Sequence, residues 1–192
     1  MESPIPGLAT ALALTPEGAC IVPMECVLLS GNGKLIVTGN LGKEARDSAQ
    51  VALTLARSRA RRLGIPPADF LRTDVHFHVP GGPARKDGVS AGLAMYMALV
   101  SAITRKPLDP KTAFAGELSL SGKLYPAGGI FEKFSAAEMA GILHLLIPKA
   151  DADELKAASR KEGTPNLVLI EHSDEALTFV FGKPKPGRKL RK

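Results

Sequence analysis

The segment Lys86-Asp87-Gly88-Val89-Ser90-Ala91-Gly92 sets a serine where a glycine-rich loop runs into an apolar stretch. Further along, Gly128-Gly129-Ile130-Phe131-Glu132-Lys133-Phe134 sets a lysine beside the apolar stripe of a second helical pattern. Backbone N–H groups in the first turn of a helix have no intrahelical partner, so a serine among them can attack a carbonyl while those donors hold the oxyanion. Asp87 is placed as the N-cap of the first helix, which puts Ser90 at N3. A serine nucleophile needs a base, and the candidates downstream are His144, His172 and the lysines. Near pH 7.4 an exposed lysine is neutral only about once in a thousand, a handicap of roughly 4 kcal/mol for a general base. Desolvation lowers a lysine's pKa and removes much of that handicap, so Lys133, one turn from Ile130 and Ala137, is a physically sensible base. Each residue also has a plain structural reading. Ser90 can simply occupy a helix start, Asp87 can be only a cap, and Lys133 can be a surface lysine whose stem covers apolar neighbours.

Other chemistries fit less well. Gly88-Val89-Ser90-Ala91-Gly92 satisfies G-x-S-x-G, but the nucleophile elbow needs a strand running straight into the serine, and here a loop with two prolines precedes it. The S-x-x-K signature fails because Leu93 stands three residues after Ser90. His76 and His78 alternate on one strand face and could supply two metal ligands, yet no third ligand has suggestive spacing, so support of the neighbouring loop is expected and no metal or other cofactor. Cys20 and Cys26 lie six apart in one strand, about 20 Å in extended chain, too far for a disulfide. Small buried hydrophobes are expected, and nothing argues for an oxidising compartment.

The elements that would position Ser90 and Lys133 follow from pattern and punctuation. Gly7 to Leu14, Ala19 to Leu29 and Lys34 to Gly39 read as three strands of a β-meander, separated by Pro16-Glu17-Gly18 and Gly31-Asn32-Gly33-Lys34. Three- and four-residue apolar steps from Lys43 to Leu63 predict a helix, with Arg57, Arg59, Arg61 and Arg62 on a solvated face at its end. Asp74 to Val79 predicts a strand, Val89 to Thr104 a helix buried nearly all round, and Ala113 to Leu118 another strand. A helix over Ile130 to Ala140 and strands over Leu143 to Ile147 and Asn166 to Ile170 complete the series, the last between two short helical segments. Strands first and then β/α alternation imply a single α/β (α+β) domain with a mixed sheet and flanking helices.

The chain has 192 residues, 45% of them hydrophobic and 5% aromatic, which excludes a disordered or membrane-spanning class and requires an aliphatic core. The formal charge of +6 invites a nucleic-acid reading. Yet Gly182 to Lys192 holds six of the 25 basic residues and no acid, leaving 19 basic against 19 acidic residues elsewhere. The expected division is a balanced domain over residues 1–181 and a solvated basic tail over 182–192. No signal peptide is recognisable and Ala91 to Ile103 is too short for a span, so a soluble cytoplasmic protein that engages neither membrane nor nucleic acid is expected.

Four strings in order, Asp74-Val75-His76-Phe77-His78-Val79-Pro80, Lys86 to Gly92, Gly116-Glu117-Leu118-Ser119-Leu120-Ser121-Gly122 and Pro126 to Lys133, resemble the proteolytic domain of Lon proteases from about Gly7 to Phe179. The resemblance implies that family's α/β fold, a Ser-Lys dyad with Ser90 as nucleophile and Lys133 as base, unfolded proteins or peptides as substrates, and a ring-shaped homo-oligomer, hexameric in the family. It places Lys86, Asp87 and Gly88 on an active-site loop and His76, His78 and Glu117 among supporting positions. It also sets Asp87 beside the dyad, where pairing with Lys133 would hold the base charged. The family's Thr before the third motif's Gly-Glu, which helps orient the lysine, is Ala115 here, with Ser119 or Ser121 as the candidate substitutes. No G-x-x-x-x-G-K-[ST] occurs, since Gly33-Lys34 and Gly122-Lys123 are both followed by Leu. The start at Met1 and the distinctive tail favour a standalone peptidase without its own ATPase. The alternatives are a subunit served by a separate ATPase, a catalytically silent scaffold or adaptor, and a phosphate-binding module at the Gly/Ser-rich helix start.

Overall fold

Small and branched apolar residues alternate along Leu8–Thr15 (β1) and Gly18–Ser30 (β2), which pair antiparallel from Leu8 opposite Glu25 to Thr15 opposite Gly18. The structure, a computed structural model, describes residues 4–15, 18–81, 86–155 and 164–182. The basic tail beyond Gly182, most of the Pro16-Glu17-Gly18 turn and part of the loop after Pro80 lie outside the described residues.

The expected meander ends after two strands. β3 (Leu35–Thr38) does not pair with β2, because β4 (Thr73–His78) lies between them, antiparallel to β2 and parallel to β3. The segment Gly31-Asn32-Gly33-Lys34 does not close a hairpin. It wraps the Asp74 carboxylate, whose Oδ1 accepts from the N–H groups of Asn32 at 2.8 Å and Lys34 at 2.7 Å. Those two backbone bonds, the Lys34 one foremost, hold the Asp74 carboxyl below its ordinary pKa. A carboxylate that satisfies loop donors thus docks the start of β4 where a hairpin partner was expected.

Beyond β1 the sheet continues with β5 (Thr112–Phe114), β8 (His144–Pro148) and β9 (Asn166–Ile170), all parallel, in the order β3-β4-β2-β1-β5-β8-β9. This is the mixed α/β sheet the alternation implied. The expected strand over Ala113 to Leu118 is broken at Ala115-Gly116. Its second half becomes β6 (Glu117–Leu118), which leaves the main sheet and pairs with β7 (Leu124–Tyr125), a strand the pattern did not signal.

The helix α1 (Lys43–Ser58) ends five residues earlier than predicted, and turns carry the chain to Gly64. Its terminal arginines are not simply solvated. Arg57 donates to the Gly33 carbonyl at 2.6 Å, and Arg59 and Arg62 both pair with Asp174 at the start of α4 (Ser173–Phe181). The helix α2 (Gly92–Thr104) has every residue from Gly92 to Ser101 buried. α1 and α2 cover one face of the sheet, with Ala49, Ala52, Leu93, Met97, Phe77 and Phe114 in one core. The other face carries α3 (Ile130–Met139), whose Ile130, Phe134 and Ala137 meet Leu12, Ala113, Leu145 and Ile147. Cys26 is buried in β2 and its thiol is pushed up to about 12 by burial, while Cys20 is half-buried; both are free. Among the described residues no helix is long and apolar enough to cross a membrane.

Candidate active site

Ser90 and Lys133 come from opposite faces of the sheet and meet at the end of β1. A cleft of about 260 Å³ lies there, lined by Ala11 to Leu14 of β1, Glu44 and Ala45 of α1, Lys86 to Ala91, Met95, Ala127 and Lys133. Lys133 is 1% exposed although it is charged in water, because the stripe of α3 that packs on β1 carries it inward. Its Nζ lies 3.0 Å from Ser90 Oγ and donates to the Ala127 carbonyl at 2.7 Å. Burial lowers the Lys133 pKa below 10.5, opposed by the charges of Asp151, Glu154 and Glu132.

The positioning of Ser90 differs from expectation. α2 begins at Gly92, so Ser90 stands in the turn before the helix and not at N3, and Asp87 does not cap α2. Two backbone bonds hold the serine turn instead. Gly116 N–H donates to the Ser90 carbonyl at 2.8 Å, and Leu93 N–H donates to the Gly116 carbonyl at 3.1 Å. The break between β5 and β6 is therefore what fixes Ser90. Gly92 and Leu93 N–H groups are occupied, whereas those of Ser90 and Ala91 bond no acceptor among the described residues.

Asp87 serves a different helix. Its Oδ1 accepts from Ala45 N–H at 3.1 Å, in the first turn of α1, whose own N-cap Gly42 has no side chain to offer. A Cβ at Gly42 would overlap the Asp87 carboxylate, so glycine there permits the approach. The same carboxylate accepts from Gly88 N–H at 3.0 Å. No pairing with Lys133 is present, because the oxygens are turned towards α1. Lys86 reinforces the junction: its carbonyl accepts from Gly42 N–H at 2.7 Å and its N–H donates to Asn40 at 3.1 Å. Replacing Asp87 by Ala removes the cap and is expected to lower stability by about 1 kcal/mol, read by urea unfolding, with Asp87→Asn retaining most of it.

The structure thus brings Ser90, Lys133, Lys86, Asp87 and Gly88 to one cleft and leaves three predicted positions off its wall. His76 Nε2 and His78 Nδ1 both bond Thr38 Oγ1 on β3, at 2.9 and 2.7 Å, and Glu117 sits on β6 opposite Tyr125. Among the described residues no group of three or more His, Cys, Asp and Glu is arranged to hold a metal. Ser119 and Ser121 do not replace the missing hydroxyl at Ala115: their Oγ atoms bond each other at 3.0 Å, and Ser119 also bonds the Lys123 carbonyl. The Ala127 carbonyl holds the lysine instead. His144 and His172, the other candidate bases, bond elsewhere, His144 to Asn166 and His172 at the N-cap of α4.

A serine turn at a helix start, with a buried lysine at hydrogen-bond distance, thus sits at the end of a seven-stranded mixed sheet flanked by helices, which defines an α/β domain. The chain belongs to the Lon protease family: the Lon protease (S16) C-terminal proteolytic domain matches residues 1–182. It is 44% identical over 178 residues to a Lon protease of Phenylobacterium zucineum, covering 92% of this chain and 22% of that protein. Lon proteases of Methylocella silvestris (44% over 184 residues, 94% of this chain, 22% of the relative) and Roseiflexus castenholzii (45% over 177 residues, 91% and 22%) are similar in the same way. The chain therefore spans about a fifth of the length of these relatives.

Proposed function

We propose that the protein is a serine endopeptidase that hydrolyses peptide bonds in unfolded proteins or peptides through a Ser90–Lys133 dyad. The observation that carries this is the 3.0 Å approach of Lys133 Nζ to Ser90 Oγ with the lysine buried. Neutral Lys133 takes the Ser90 proton as Oγ attacks the scissile carbonyl, and the N–H groups of Ser90 and Ala91 receive the developing oxyanion. Protonated Lys133 then donates to the leaving amine, and water, activated by the same lysine, hydrolyses the acyl-enzyme. Apolar side chains of β1 and Met95 on the cleft wall suit an extended peptide stripped of its own fold.

Family membership supports a homo-oligomeric, hexameric ring, and two free cysteines support action in the cytoplasm. The sequence carries no phosphate-binding loop motif, which supports cleavage without ATP by this chain. A second reading, a subunit dependent on a separate ATPase, draws on membership of the Lon protease family. The scaffold reading draws on Ala115.

Incubation with fluorescein-labelled casein without nucleotide, alongside a peptidyl boronate, separates these. Cleavage is expected, with a boronate adduct that intact mass and peptide mapping place on Ser90. Adduct without casein cleavage favours the ATPase-dependent subunit, and neither adduct nor cleavage favours the scaffold.

A further inference from the structure

Lys133 Nζ donates to the Ala127 carbonyl beside Ser90, and a residue that holds the Ala127 peptide lies outside the four motifs. Ala127 lies in the turn before α3, followed by two glycines in left-handed conformation, Gly128 at φ 63° and Gly129 at φ 55°. Such a turn has little intrinsic rigidity. The Ala127 peptide is anchored by Asp151, at the end of a 3-10 turn directly after β8, whose Oδ2 accepts from Ala127 N–H at 2.9 Å, while Glu154 Oε1 accepts from Ile130 N–H at 3.0 Å beyond the glycines. Asp151 is 4% exposed. Three contacts run in series: Asp151 to the Ala127 N–H, the Ala127 carbonyl to Lys133 Nζ, and Nζ to Ser90 Oγ.

We propose that Asp151 is a positioning residue of the dyad, holding the Ala127 peptide so that its carbonyl takes one Nζ–H and turns the nitrogen lone pair towards Ser90. The proposal rests on the Ser90–Lys133 mechanism. A neutral lysine has one lone pair, and it accepts the serine proton only if the N–H bonds point elsewhere. The Ala127 carbonyl is the acceptor that imposes this, in the role for which Ala115 has no hydroxyl. A carboxylate is a costly way to satisfy one backbone N–H in the interior, since burying charge costs far more than burying an amide. Its charge has a second effect. Asp151 favours protonated Lys133, as do Glu154, three residues on, and Glu132 on α3, whereas burial favours the neutral base. Glu44 of α1, with Lys86 and Asp87 of the loop, are the other charged groups on the cleft wall. Asp151 thus aims the lysine and tempers how readily it loses its proton.

Asp151→Ala and Asp151→Asn in the full chain test this, with kcat and KM for an internally quenched peptide measured across pH beside Ser90→Ala. Asp151→Asn keeps an acceptor for Ala127 N–H and loses the charge. It is expected to hold its plateau kcat within about twofold and to move the acid limb of kcat/KM to lower pH. Asp151→Ala loses the acceptor too, and its plateau kcat is expected to fall by about tenfold to a hundredfold with KM little changed. A purely structural role would lower the folded fraction but leave the acid limb in place. An unmoved limb in Asp151→Asn overturns the proposal even if Asp151→Ala does not fold, and so does a wild-type plateau in folded Asp151→Ala. With Ser90→Ala inactive, either result removes the role of Asp151 alone. Peptide cleavage by Ser90→Ala at the wild-type rate removes the dyad and this proposal together.

Discussion

Ser90→Ala and Lys133→Met are each expected to reduce kcat/KM for peptide cleavage by at least about a thousandfold, and the double variant to be little worse than either. Non-additivity is the diagnostic part. A nucleophile without its base and a base without its nucleophile both leave only the oxyanion donors and substrate binding, so the second substitution removes nothing further. Additive losses would mean that the two side chains act in separate steps, and equal activity in all forms would end the serine-peptidase reading. Methionine at position 133 nearly matches the lysine stem in volume, so the apolar contacts with α3 and β1 survive and the loss reports on the amine.

The same substitution has a signature in stability with a definite sign. Burial lowers the Lys133 pKa below the ordinary 10.5, so over the window between the lowered value and about 10.4 the unfolded chain binds a proton that the folded chain does not. Wild-type stability therefore rises with pH across that window. Below the folded pKa the cost of burying the charge is fully present; above the unfolded pKa it is gone. Lys133→Met has no such dependence, so its melting temperature relative to wild type is expected to be highest in acid and to decline as pH rises through the window. Activity climbs over the lower end of the same range, because only the neutral amine accepts the serine proton. A stability difference that does not vary with pH would show that Lys133 is not held as a buried, neutralisable base.

Local pattern made Ser90 and Lys133 candidates, each with a plain structural alternative, and the resemblance in four motifs is what paired them. Ser90 precedes a helix apolar all round, and Lys133 falls beside a three- and four-residue apolar stripe. What surrounds them was not legible, for physical reasons that differ. Asp87 fits the N-cap rule, but a carboxylate satisfies whichever helix start lies nearest in space, and Gly42 leaves that of α1 open. The carbonyl that holds Lys133 is backbone and carries no residue signature. Asp151 reaches it from beyond β8, a contact that exists only once β8 has paired with β5. The order β3-β4-β2 likewise depends on Asp74 collecting donors from a loop forty residues earlier, where Gly-Asn-Gly locally reads as a hairpin. The string from Gly116 to Gly122 marks the motif but not the break that makes Gly116 the support of Ser90.

Gly116→Val is expected to lower stability by about 2–4 kcal/mol and to reduce activity per folded molecule, measured by urea unfolding and by peptide cleavage normalised to folded protein. Two costs combine. Gly116 has φ +147°, which an L side chain rarely adopts, and a Cβ there would lie 3.0 Å from Pro148 Cγ and 3.2 Å from Pro148 Cδ. A proline ring anchored at the end of β8 cannot rotate aside as a long side chain can. Relief must come from the backbone of Gly116, whose N–H and C=O bracket the serine turn through Ser90 and Leu93. Any shift is passed to Ser90 Oγ, whereas Lys133 is held independently through Ala127, so the dyad distance opens. Gly88→Ala is the informative control. Gly88 also has a positive φ, +111°, but a Cβ there meets nothing within 4 Å, so only the conformational part of the cost applies. The ordering expected is wild type, then Gly88→Ala, then Gly116→Val in stability. Equal losses would mean that backbone strain dominates and that the packing of Gly116 on Pro148 does not hold the serine in place.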